Sequence, residues 1–156
     1  MIVGGEDVGY NMLDIVEVVD NYTNCKADPF PMKLSYAVGI NGTICGGESP
    51  TNFGDYRILS SCWHLNPNGT WTSGKDMVEA RSYFSINKVD DEMFVIGGDT
   101  PSTACVEKYS LSKDEYWLCS PHSPRHLNNH CAVTLNTSYI FITGGSQPDQ
   151  VNSNQH

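Results

Sequence analysis

The sequence is short of positive charge, of long apolar runs and of helical periodicity. Nine Lys and Arg stand against eighteen Asp and Glu, giving a formal net charge of −9. Nucleic acid and anionic bilayers both require a basic footprint, so neither is expected as a partner. No apolar run approaches the roughly 20 residues of a membrane-spanning helix. The opening MIVGGEDVGY has neither the basic start nor the apolar core of a secretory leader. Charged residues make up only 17% of the chain and apolar ones 39%, the balance of a folded polymer rather than a disordered one. With 156 residues, one domain with a sizeable core is expected.

What the sequence does contain is a recurring Gly-Gly pair. IVGGE, TICGGE, FVIGGD and FITGGS each join a short apolar run, two glycines and a polar residue. The second glycines, Gly5, Gly47, Gly98 and Gly145, stand 42, 51 and 47 residues apart. Self-similarity at about 50 residues marks a stacked repeat architecture. A phosphate-binding turn would open a helix whose amides face the anion. No helical pattern follows any of the four pairs, so they read as structural, at a bulge or a close approach of backbones.

Each period has the same grammar. MVEARSYFSINKVDDEMFVIGG predicts a strand around Tyr83 to Ile86, a turn at Lys88 to Asp91 and a strand ending in the glycines. TACVEKYSLSKDEYWLCSP adds strands around Val106 to Leu111 and Tyr116 to Cys119. Four short antiparallel strands make one propeller blade. In the preceding period, Asn41-Gly42 is a tight-hairpin signal, and Asn66 to Gly69 joins the outer two strands. HCAVTLNTSYIFITGG restarts the pattern, while MIVGG followed by DIVEVVDNYTNC keeps part of it.

In these residues the chain resembles the kelch repeat family: Met77 ahead of Arg81, an apolar strand, Gly97-Gly98, Tyr109 and Trp117, with Gly46-Gly47 and Trp71 in the preceding period. Lys33 stands where Arg is usual, Cys25 lies near the place of a missing Trp, and Arg125 is further from its strand than Arg81. The resemblance implies an all-β fold, a kelch-type β-propeller fragment of about three blades' worth of four-stranded antiparallel sheets. The expected units are a partial blade at 1–30, blades at 31–78 and 79–124, and a partial blade at 125–156, with thirteen strands in all. Closed propellers have about four to eight blades, and the resemblance implies six. The chain is therefore expected to be an excerpt, or to need further blades or self-association to cover its open edges.

Six cysteines and four N-x-S/T sequons, at Asn21, Asn41, Asn68 and Asn136, point to an oxidising, glycosylating compartment. An extracellular location is expected, with the cytoplasm as the alternative. On the strand map, Asn41 and Asn136 fall between first and second strands, and Asn21 and Asn68 between third and fourth. All four then share one face. The opposite face, carrying the second-to-third loops and blade connections, is the candidate binding face. Its most distinctive stretch runs from Glu48 to Ile58 and mixes Asn52, Phe53, Asp55, Tyr56 and Arg57; its counterpart begins at Asp99. Such amphipathic mixtures suit interfaces, the alternative being a solvated loop with one tucked aromatic.

Cys105 and Cys119 flank a hairpin symmetrically about Ser112, which places them for a disulfide. Cys45 and Cys62, on second and third strands, are placed likewise, leaving Cys25 and Cys131 unassigned. His122, His126 and His130 are four apart beside Cys131, a metal-site spacing on a helix, but Pro121 and Pro124 break any helix there. Copper-radical oxidase chemistry on a similar propeller needs a particular set of His and Tyr ligands that no pattern here signals, and no nucleophile elbow is present. No cofactor or metal is expected. The expected function is a non-catalytic module that binds a protein or glycan partner through its loop face. The alternative is an intracellular kelch adaptor, with reduced cysteines, of the kind that recruits ubiquitin-ligase substrates or binds actin.

Overall fold

A computed structural model describes residues 2–17, 27–99, 106–110, 115–120, 127–136 and 138–146. Among them are fourteen strands and no helix. Four form an antiparallel meander: β9 (Ser85–Val89), β10 (Glu92–Ile96), β11 (Val106–Ser110) and β12 (Glu115–Ser120). Before it comes a second four-stranded sheet, of β3 (Val38–Ile40), β4 (Thr43–Cys45), β7 (Cys62–Leu65) and β8 (Trp71–Ser73). Two-stranded sheets flank these: β1 (Ile2–Val3) with β2 (Val16–Glu17), and β13 (Asn128–Leu135) with β14 (Tyr139–Ser146). The fold is an all-β propeller fragment, as the period of the glycine pairs implies.

Local chemistry sets the turns. Asn41 and Gly42 take φ of 50° and 77°, the left-handed pair that a two-residue hairpin requires. Across β4 and β7, Cys45 lies opposite Cys62 and the two are joined in a disulfide. Around them Met77, Phe84, Ile86, Met93, Val95 and Tyr109 form the larger core. Phe30, Leu34 and Ile44 form a smaller one against Trp63 and Trp71. The Trp71 ring meets Phe30 edge-on at 5.0 Å, and its Nε1 donates to Asp28 O at 3.0 Å.

The glycine pairs are the joints between blades. Gly5, Gly47 and Gly98 each donate a backbone N–H at 2.7 Å to the next sheet's approach segment, at Leu34, Arg81 and Leu127 respectively. Gly46 shows why the residue is fixed: its φ is +62°, and a Cβ there would stand 2.6 Å from Arg81 O and 2.7 Å from the Phe84 ring. Two backbones approach where only a hydrogen fits.

Three details differ from the sequence expectation. Glu48 to Ile58 is not a plain loop but a hairpin of β5 (Glu48–Pro50) and β6 (Tyr56–Ile58). Its first strand is held extended because Glu48 and Ser35 exchange backbone hydrogen bonds of 2.8 and 3.0 Å. These two added strands account for fourteen where thirteen were expected, one expected strand falling in 18–26. The arginine position of the second period is held by buried Leu34 rather than by exposed Lys33, because Leu34 O receives the Gly5 N–H as Arg81 O receives that of Gly47. The residues Asn21, Cys25, Cys105, Ser112, Pro121, His122, Pro124, Arg125 and His126 lie outside the described residues, and with them the Cys105–Cys119 pairing.

Candidate functional site

Two excursions project from the same end of adjacent blades. In the first, Asp7 caps its own turn: its carboxylate accepts from Gly9 N at 2.7 Å, Asn11 N at 3.0 Å and Asn11 Nδ2 at 3.1 Å. These Asn11 and Gly9 bonds hold the Asp7 carboxyl below its ordinary range. The fixed turn presents Val8, fully exposed, and Tyr10, 86% exposed. In the second, Thr51 N donates to Asp55 O at 2.8 Å and closes the β5–β6 turn. Phe53, at its tip, is 97% exposed beside exposed Asn52, and Tyr56 and Arg57 are exposed on β6.

Between the two excursions runs an open groove of about 280 Å³, lined by Tyr10, Asn11, Met12, Lys33, Asp55 and Tyr56 among others. Aromatic rings, hydrogen-bonding side chains and one charge of each sign share its walls. A contiguous exposed patch of this make-up marks an interaction site, since isolated surface apolar residues are common but clusters are not. Asp55 and Tyr56 are thus brought together with Tyr10, Asn11 and Lys33, which are absent from the sequence-based set; Phe53 and Arg57 stand exposed on the same hairpin, and Val8 on the first excursion. The signal for the first excursion lay in the repeat itself, because Glu6 to Met12 follows Gly4-Gly5 as Glu48 to Ile58 follows Gly46-Gly47.

Glu48 behaves differently from its neighbours. It is 5% exposed, and burial pushes its carboxyl above the ordinary value, opposed by Ser82 and reinforced by the charges of Asp99 and Glu6. Asp99 is exposed and bridged to Ser82.

The described sequon asparagines occupy the other end of the sheets. Asn41 lies in the β3–β4 turn, Asn68 in the β7–β8 turn and Asn136 in the β13–β14 turn, all exposed. Cys131 is a free, exposed thiol. His130 faces inward: its Nε2 meets Ser85 Oγ at 2.9 Å, and burial lowers its pKa. Among the described residues no three His, Cys, Asp or Glu side chains gather closely enough to hold one metal ion.

Arg81 and Tyr109 are buried, and Trp117 lies on β12. A family model for the kelch motif matches residues 80–117, the stretch that holds all three. Residues 80–117 carry a kelch motif. The chain is similar to the human kelch repeat and BTB domain-containing protein 12, at 32% identity over 76 residues. That alignment takes in 45% of this chain but only 12% of the relative's length. Kelch repeats are protein-interaction modules.

Proposed function

We propose that this kelch module is non-catalytic and binds a protein partner through the face formed by residues 6–12 and 48–58. The observation that carries the reading is the groove between these excursions, with Tyr10 and Tyr56 exposed along it and Phe53 exposed at the tip of the second excursion. The sequon turns stand at the opposite end, so N-glycans on Asn41, Asn68 and Asn136 would leave this face clear. A glycan is the alternative ligand class, since tyrosine rings stack on sugars while Asn11 and Asp55 supply hydrogen bonds. The Cys45–Cys62 disulfide and the exposed sequons support an extracellular setting. A second reading, an intracellular adaptor, is favoured by the likeness to a protein whose name includes a BTB domain.

The test is to immobilise the chain and its Phe53→Asp and Asn68→Gln variants, then compare the proteins each retains from source extract. Retention lost with Phe53→Asp and kept with Asn68→Gln is the expected result. Equal retention by all three would remove the loop face from consideration.

A further inference from the structure

Backbone hydrogen bonds lay five polar residues side by side across three blades. The Gly5 N–H to Leu34 O bond of 2.7 Å brings Glu6 alongside Ser35. Ser35 and Glu48 exchange bonds of 3.0 and 2.8 Å. Gly47 N–H to Arg81 O, at 2.7 Å, sets Glu48 beside Ser82, and Ser82 and Asp99 exchange bonds of 3.3 and 2.7 Å. The row therefore reads Glu6, Ser35, Glu48, Ser82, Asp99. Its acids are the residues that follow three successive glycine pairs.

The fold alone does not explain this row. The hydroxyls of Ser35 and Ser82 are buried and make no hydrogen bond, an unfavourable state for a polar group. Ser82 Oγ stands near enough to Glu48 to favour its charged form, yet short of a full hydrogen bond. Asp99 and Glu6 repel the same carboxylate. Beside the serines, the Tyr36 and Tyr83 rings lie 4.2 Å apart, with Tyr36 partly exposed. Unused hydroxyls, a line of carboxylates and an aromatic pair are together what a cation would use.

We propose that the row receives an arginine side chain presented by the protein that docks on the loop face; this rests on the function proposed above. The carboxylates are too spread to close on one metal ion. A guanidinium spans such spacing, because its planar fork carries five donors and stacks on aromatic rings. The chain's formal charge of −9 favours a basic partner segment as well.

The probe is a fluorescent Gly-Ser-Arg-Ser-Gly peptide, titrated at low salt against the whole chain, with citrulline in place of arginine as the neutral isostere. The arginine peptide is expected to bind at least about tenfold more tightly, and Glu48→Gln and Glu6→Gln each to weaken it about tenfold. Asp90→Asn, exposed in the β9–β10 turn at the opposite end of the sheets, should leave it unchanged. Thermal melting of each variant confirms that it is folded. Equal binding of the two peptides, binding of neither, or equal damage from Asp90→Asn would overturn the proposal. So would displacement of the peptide by micromolar calcium, which would make the row a metal site. If the peptide fails while Phe53→Asp still abolishes retention from extract, the row falls and the loop-face reading stands. If Phe53→Asp is silent, that reading falls first.

Discussion

Arg81 Nε donates to Glu107 Oε1 at 3.0 Å, and both side chains are completely buried. Arg81 Nη1 also donates to Gly97 O at 2.7 Å, while Glu107 accepts from Val78 N at 2.6 Å and Glu79 N at 3.1 Å. One ion pair thus ties the approach segment, β11 and a glycine pair together. The preceding blade fills the same place with apolar groups. Leu34 takes the arginine position, and Trp63, paired with Ile44 two residues before Gly46, takes that of Glu107, paired with Val95 two residues before Gly97. Both members of the pair have changed together.

Removing one buried charge strands the other, at a cost of about 3–5 kcal/mol, whereas apolar replacement of both is far milder. Arg81→Leu and Glu107→Leu should therefore each destabilise the chain by about that amount. The double variant should lie closer to wild type than either single one. Urea unfolding measures all three, and additive losses would show that the pair is not coupled.

Gly46 and Gly54 both have positive φ, at +62° and +79°, but only Gly46 faces a neighbour. Alanine at Gly54 meets open space and should cost only the backbone strain, about 1 kcal/mol. Alanine at Gly46 must also displace Arg81 O or Phe84, adding a further ~1–3 kcal/mol. Parallel thermal melts test this, and equal costs would mean that the blade joint yields freely.

Much of the scaffold was legible because backbone geometry repeats with the chain. Spacing of the glycine pairs gave the blades, Asn41-Gly42 gave its hairpin, and the opposed positions of Cys45 and Cys62 followed from strand order. Features that depend on contacts between periods were not legible. Leu34 rather than Lys33 fills the arginine position because the Gly5 hydrogen bond sets the register, which no local pattern shows. The β5–β6 hairpin was hidden because Ser49, Pro50 and Asn52 are poor strand formers, and Ser35 holds Glu48 extended instead. Glu6, Val8 and Tyr10 escaped notice because the first period looked degenerate, although an acid follows its glycines as in the next two.

Glu48 gives the protein a pH signature. Its folded pKa is raised, so the folded state holds the proton more tightly than the unfolded one. The stabilisation is complete below about 4.5, the ordinary glutamate value, and is lost as pH rises through the raised value. At pH 7, well above the ordinary value, burial and the nearby charges of Asp99 and Glu6 count against the folded state, and Glu48→Gln should melt higher than wild type. Below pH 4.5 the two should converge. A lower melting temperature for the variant at pH 7 would reverse the sign of this assignment.

The Cys45–Cys62 bridge closes a loop of 17 residues in sequence separation. By chain entropy such a loop is worth about 3 kcal/mol. The double alanine variant should lose about that much stability in urea, while Cys131, exposed and free, should react with maleimide in the folded, unreduced protein. Labelling of Cys45 or Cys62 under those conditions would show the bridge open.

The central claim is that the face bearing residues 6–12 and 48–58 meets the partner. Hydrogen–deuterium exchange of the chain, alone and with a partner retained from extract, tests it most directly. Slowed exchange is predicted in those two segments and unchanged exchange in the Asn41, Asn68 and Asn136 turns. Protection of the three sequon turns with residues 6–12 and 48–58 unaffected would contradict the claim.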